Sequence, residues 1–198
     1  ESNNRREIVL DGEKLLLDEV YSFVSEYKDG FSVRVSDMVE NAVLKSRKFL
    51  EGEMNRRVIY GVNTGFGPMA SHIIGSDKLF ELQENLIKSH AVGMGDPVRS
   101  EYALAAMIIR LNTLAKGYAG VSIDLIRHFE KFINSGAVPI IPEHGAVGTS
   151  GDLVQLAHIA LALIGEGEVW YKGERRFTRD ILSSAGLSAY KLKPKEGL

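Results

Sequence analysis

Val138-Pro139-Ile140-Ile141-Pro142-Glu143-His144-Gly145-Ala146-Val147-Gly148-Thr149-Ser150-Gly151-Asp152-Leu153 leads into Val154-Gln155-Leu156-Ala157-His158-Ile159-Ala160-Leu161-Ala162-Leu163-Ile164 and closes on Gly165-Glu166-Gly167. Two prolines three residues apart lack amide protons and have a fixed φ, so 138–142 reads as an extended connector and not as helix. Glu143 through Gly148 carries no regular period. From Asp152 or Leu153 to Ile164 the residues are almost all apolar, interrupted by Gln155 and His158. A membrane span needs about 20 such residues, so this shorter run predicts a helix buried in a protein core.

Upstream of that stretch the pattern is mostly helical. A helix is expected from about Ser100 to Lys116 and another from Ser122 to Asn134. Ser76 or Asp77 opens an earlier one, with Leu79, Leu82, Leu86 and Ile87 on one face, stopping near Gly93-Met94-Gly95-Asp96-Pro97. Ser36 reads as the cap of a helix running to about Glu51, with Met38, Val39, Ala42, Val43 and Phe49 near helical spacing. A first helix is expected over 18–27, with Asp18 as N-cap. Ile8-Val9-Leu10, Val33-Arg34-Val35 and Val58-Ile59-Tyr60 read as short strands. Downstream, Glu168-Val169-Trp170-Tyr171 turns at Lys172-Gly173 and returns through Glu174 to Phe177, a hairpin, after which Thr178 caps a short helix. No repeat, low-complexity tract or long linker marks a domain boundary. The class is mainly α, with short strands and one hairpin.

Composition narrows the functional classes. The 198 residues are 44% hydrophobic and 25% charged, as soluble globular proteins are. A net charge of −2 offers nothing to attract nucleic acid or an anionic membrane, so neither is expected as partner. The absence of cysteine excludes disulfides and thiolate metal sites and fits a cytoplasmic setting. The histidines show no H-E-x-x-H or comparable ligand spacing, so no metal is expected. The start, Glu1-Ser2-Asn3-Asn4-Arg5-Arg6, lacks the apolar core of a signal peptide.

Three segments carry possible chemistry. Gly65-Phe66-Gly67-Pro68-Met69-Ala70 matches G-x-G-x-x-A formally, but that fingerprint needs a helix opening inside it, and the next helix begins only near Ser76. A surface loop able to close as a lid is the simpler reading. Ser89-His90 lies at a helix C-terminus, where a histidine commonly answers the dipole. The third segment is Gly148-Thr149-Ser150-Gly151-Asp152. It fails the hydrolase elbow G-x-S-x-G because Asp152 holds the last glycine position. Residue types alone favour a turn followed by an Asp152 N-cap. A sharper alternative exists. Attack of the Gly151 amide nitrogen on the Thr149 carbonyl carbon closes a five-membered ring. Loss of water from that ring and from the Ser150 side chain then leaves a methylidene conjugated to a carbonyl. Gly151 has no Cβ to resist the compression, and the adjoining helix start would polarise the product.

Taken in order, several stretches resemble the family of histidine, phenylalanine and tyrosine ammonia-lyases and related aminomutases. They are Tyr60-Gly61-Val62-Asn63-Thr64-Gly65-Phe66-Gly67, Leu82-Gln83-Glu84-Asn85-Leu86-Ile87-Lys88-Ser89-His90, Arg110-Leu111-Asn112-Thr113-Leu114 and the run from Pro139 to Gly167. Leu10-Asp11-Gly12 and Lys195-Glu196-Gly197-Leu198 fit as well, so the resemblance covers nearly the whole chain. It implies the helical fumarase/aspartase-like fold, with residues 1–198 as the N-terminal portion of one catalytic domain and the electrophile segment at about 139–165. The remainder would lie beyond Leu198, and the chain alone is expected to be inactive.

The resemblance also implies a mechanism. A methylidene-imidazolone made from Thr149, Ser150 and Gly151 serves as the electrophile, and no external cofactor is expected. Tyr60 takes the β-proton, His90 and Ser89 contact the substrate, and Asn63 and Gly67 bind it too, as loop residues that position and cover the site. Asp152 assists ring closure. The substrate is a small aromatic L-amino acid, tyrosine first and histidine second, and the assembly a homotetramer sharing its sites between subunits. An aminomutase of the same chemistry and an inactive structural module are the alternatives. Thr149 stands where the family usually has alanine, and Gln155 where many relatives have proline. The Thr149 side chain hangs outside the ring, so closure is expected to survive.

Overall fold

A computed structural model of the chain describes residues 6–27, 30–69, 71–75, 78–148, 151 and 153–198. Chain order is β1 (Glu7–Leu10), α1 (Leu17–Glu26), β2 (Ser32–Val35), α2 (Glu40–Met54), α3 (Leu79–His90), β3 (Met94–Pro97), α4 (Ser100–Ala115) and α5 (Ile123–Asn134). There follow β4 (Val138–Pro139), β5 (Pro142–His144), α6 (Leu153–Leu163), β6 (Glu168–Tyr171), β7 (Glu174–Phe177) and α7 (Thr178–Ile181). The strands make three small sheets: β1 parallel to β2, β3 antiparallel to β5, and β4-β6-β7 antiparallel. The mainly α class holds, and no helix among the described residues is long and apolar enough to cross a membrane.

The core forms around α4. Leu104, Met107, Ile108 and Leu111 recur at helical spacing and are at most 2% exposed. Against it lie Phe129, Phe132 and Ile133 of α5, Phe23 of α1 and the inward residues Leu10, Val33 and Val35 of the parallel pair. Each such side chain contributes roughly 1.5–3 kcal/mol on burial. Gly12 joins the first strand to the end of α4. Its φ is +78°, its amide donates to Asn112 Oδ1 at 3.0 Å, and a Cβ there would lie 2.7 Å from the Ala115 backbone. That contact ties the end of the first strand to the last turn of α4.

The proline-bearing connector is extended, as read from sequence, but it works harder than a linker. Val138-Pro139 pairs with β6, and Pro142–His144 pairs with β3, so one short segment passes between two sheets. Both strands lie at sheet edges, where a missing amide proton is tolerated. The hairpin 168–177 has its expected register, with Tyr171 opposite Glu174 and Lys172-Gly173 both at positive φ in the turn.

Several local expectations fail for identifiable reasons. Asp18 does not cap α1; the helix begins at Leu17, and the free Leu16 amide donates to the Glu19 carboxylate at 2.7 Å. Ser36 caps a short 3₁₀ turn over Asp37–Val39 before α2, which rotates the helix face. Val39, Val43 and Arg47 are therefore buried, while Met38 and Phe49 are exposed. Val58-Ile59-Tyr60 is not a strand but the entry to a turn, and Met94–Pro97, given in the sequence only as the place where a helix stops, is β3. Thr178 caps nothing. It is the first residue of α7, fully buried, with its amide and hydroxyl both donating to the Gly167 carbonyl. The expected helix start at Ser76 or Asp77 lies outside the described residues.

Candidate active site

The loop after α2 is built to hold Tyr60. Asn63 commits its whole amide to the loop backbone: Oδ1 accepts from Ile59 N at 2.7 Å, and Nδ2 donates to the Met54 and Arg57 carbonyls at 2.9 Å each. Buried Thr64 accepts from Gly61 N at 3.0 Å and donates to the Gly65 carbonyl at 2.9 Å. The Gly67 amide donates to the Tyr60 hydroxyl at 3.1 Å, and Phe66 stands edge-on to the Tyr60 ring, centroids 5.8 Å apart. Tyr60 nevertheless remains 58% exposed, a phenol fixed in place and open to a ligand.

His90 ends α3. Its Nδ1 lies 2.8 Å from the Leu86 carbonyl, to which Ser89 Oγ also donates at 2.8 Å. A carbonyl can only accept, so Nδ1 carries a proton and donates it there. The bond is the helix-terminal role expected of a histidine here, and it leaves the other ring nitrogen available.

The next element is α6. Gly151, two residues ahead of it, has φ +84°, and among the described residues no atom lies within 4 Å of where a Cβ would stand. Thr149, Ser150 and Asp152 lie outside the described residues. Within α6, His158 Nε2 accepts the Gly93 amide at 3.1 Å and so ties this helix to the chain just past His90. Burial holds the His158 pKa below its ordinary value, which keeps the ring neutral and able to accept.

These elements meet around a cavity of about 540 Å³ lined by Tyr60, Phe66, His90, Leu153 and Leu156, among others. Asn63, Gly67 and Ser89 do not line it; they hold the residues that do. A second concavity, about 450 Å³ between β1 and α1, brings together none of the expected site residues. Among the described residues, no group of three His, Asp or Glu side chains could hold a metal ion.

Two charged residues of the cavity escaped the sequence reading. Glu196 is 7% exposed, and its carboxylate accepts from Ser122 N, Ser122 Oγ, Tyr190 Oη and Lys193 N. Arg110 lines the cavity, and burial lowers its pKa. Both belong to stretches quoted above for their resemblance, but nothing in local spacing shows that they face a common space.

The family model described as aromatic amino acid lyase matches residues 15–198. The histidine ammonia-lyase of Staphylococcus aureus is 43% identical over 192 residues, covering 96% of this chain and 38% of that protein. Among solved structures, Pantoea agglomerans phenylalanine aminomutase superposes with a TM-score of 0.87 at 36% identity, covering 98% of this chain and 36% of the other. Treponema denticola ergothionase, an ergothioneine-degrading enzyme, gives 0.89 at 33% identity, covering 96% and 38%. The chain thus spans well under half the length of these relatives. With the helical core, the loop around Tyr60 and the matched motifs in one order, the chain belongs to the aromatic amino acid lyase family.

Proposed function

We propose that these residues form the electrophile-bearing part of an enzyme that removes ammonia from an aromatic L-amino acid. The observation that carries this reading is the convergence of Tyr60, His90 and the start of α6, from three separated stretches, on one cavity with apolar walls. Ring closure at 149–151 needs a residue at 151 with no side chain and a compressible backbone. Gly151, uncrowded and in a left-handed conformation, fits that need. When formed, the methylidene-imidazolone supplies an electrophilic carbon for the substrate amine, and no external cofactor is required.

The chain's own residues do the rest. Tyr60, its oxygen held by the Gly67 amide, takes the β-proton. His90 offers Nε2 to the polar edge of the substrate ring, while Phe66, Leu153 and Leu156 enclose its apolar face. Asn63 and Ser89 act as positioning residues, through the loop backbone and the last turn of α3. Asp152, beside Gly151 in sequence, assists closure.

The 43% identical histidine ammonia-lyase favours histidine over tyrosine as substrate, the reverse of the order that the motifs suggested. An aminomutase is the second reading, favoured by the likeness to the Pantoea enzyme. A cytoplasmic homotetramer is the assembly that this reading carries. The test uses a family-length protein bearing these 198 residues. Its intact mass is expected to fall roughly 36 Da below the encoded value, two waters lost in the condensation that Gly151 permits. Incubation with L-histidine or L-tyrosine is expected to give an unsaturated acid, whereas a β-amino acid product would select the mutase. An unchanged mass in a folded protein would end the proposal.

A further inference from the structure

Just past His90 lies a contact that the proposed chemistry does not use. The Gly93 amide donates to His158 Nε2 at 3.1 Å, and among the described residues this is the one hydrogen bond that joins α6 to residues 91–97. The path from His90 to Gly93 is short and stiff. Ala91 sits at φ −80°, ψ 59°, and the Val92 amide donates to the His90 carbonyl at 2.9 Å, which is an inverse γ-turn. Beyond Gly93 the chain is held again, by the pairing of β3 with β5 and by the Val98 amide on the Ile141 carbonyl at 2.8 Å. Residues 91–98 are thus bonded to both stems of the electrophile segment, β5 before it and α6 after it.

The approach is close. A Cβ on Gly93 would stand 3.0 Å from His158 Nε2 and 3.0 Å from Pro142 Cβ, and one on Gly145 would come within 3.3 Å of the Gly93 Cα. Gly93 is not in the left-handed region, so its missing side chain serves this contact and not a turn. His158 itself does not line the cavity, but it follows Ala157, and Leu153, Leu156 and Ala157 do. We propose that His158 is a positioning residue for substrate recognition: by holding Gly93 it fixes where His90 stands relative to the first turns of α6, and so sets the fit of the substrate ring between them. This role rests on His90 being a substrate contact, as proposed above. Apolar packing would leave the two elements free to slide, whereas a hydrogen bond fixes both distance and direction.

Kinetics separate this role from support of the electrophile. His90 meets a part of the substrate that is unchanged as ammonia leaves, so a looser fit there weakens ground and transition states alike and raises KM with kcat unaltered. In the family-length protein, His158→Leu fills the same space and cannot accept from Gly93. It is expected to raise KM for the substrate about tenfold, with kcat and the mass loss of ring closure retained. His158→Gln, which can accept, should restore KM. Gly93→Ala should raise KM from the other side of the contact, and the two changes together should cost less than their sum. An unaltered KM, a fall in kcat as large as the rise in KM, loss of the ring in a folded His158→Leu protein, or a glutamine variant as impaired as the leucine one would each overturn the proposal. A parent protein that releases no unsaturated acid would instead sink the reading of the site, and hydrogen exchange over residues 88–98 then judges the contact by itself. Faster exchange in His158→Leu than in His158→Gln supports the positioning role, and equal exchange overturns it.

Discussion

Gly151 and Tyr60 place different demands on a substitution. At φ +84° an alanine at 151 meets none of the described residues, but it must adopt the left-handed conformation, which costs roughly 1–2 kcal/mol. Gly151→Ala is therefore expected to leave a folded protein whose melting temperature falls only a few degrees, and mass spectrometry should find no loss of water. Tyr60→Phe tests the base. It keeps the edge-on contact with Phe66 and removes only the oxygen that accepts from Gly67. Turnover in the family-length protein is expected to fall about 10²–10⁴-fold with binding of a substrate analogue retained; a fall in binding alone would make Tyr60 a wall and not a base. At this scale residue type is what nominates candidates, and the structure brings Tyr60 and His90 to one cavity. A tyrosine before a glycine loop and a histidine at a helix end are visible in the sequence by type alone. Arg110 is not, because an arginine on a helix is ordinarily a solvated face, and only the packing of α3 to α6 puts this one in a cavity.

Among the elements, α6 is the one whose position depends on protonation. His158 accepts the Gly93 amide through Nε2 and can do so only when neutral. His128 donates its Nε2 proton to the Leu163 carbonyl at the end of the same helix, and its ring lies against Tyr190. Burial is the first cause of a lowered pKa at both histidines. The unfolded chain binds a proton at each near pH 6.5 and the folded chain only at lower pH. Below about pH 6.5 the unfolded state therefore holds more protons, so the contribution is complete above that value and is lost as the pH falls toward the folded pKa values. Urea titrations at pH 7.5 and 5.5 should give a lower midpoint at 5.5, and His158→Gln, which can still accept from Gly93, should narrow the difference. An unaltered pH dependence in that variant would remove His158 from the account. Helices α3 to α6 were legible because their apolar spacing is long and regular. The ends were not. Leu16 gains its partner from Glu19, and Thr178 bonds back to Gly167, contacts that depend on where the chain turns and not on the residue at the boundary.

For the molecule as a whole, residues 190–198 act as a strap joining helices that are far apart in sequence. Buried Arg47 of α2 donates to the Pro194 carbonyl at 2.8 Å and to the Gly120 carbonyl at 3.2 Å. The Gly197 amide donates to Gln83 Oε1 of α3 at 2.8 Å, and Lys193 pairs with Asp124 of α5 at 2.5 Å. Glu196 is the centre, its oxygens closing the exposed amide end of α5 through Ser122 and fastening the strap to itself through Tyr190 and Lys193. Glu196→Gln isolates that role, because the amide keeps size and shape but turns an NH₂ toward two donors. Loss of two charge-assisted bonds is expected to cost about 3 kcal/mol, a drop of roughly 10 °C in melting temperature. Tyr190→Phe, which removes one donor and leaves three, should cost about 1 kcal/mol. The form of the transition decides between two architectures. If the strap is part of one cooperative core, Glu196→Gln shifts a single urea transition to lower denaturant with its slope unchanged. If the strap is an appendage, the variant should instead show an early, separate loss of protection at 190–198 by hydrogen exchange while α4 and α5 remain protected to the original midpoint.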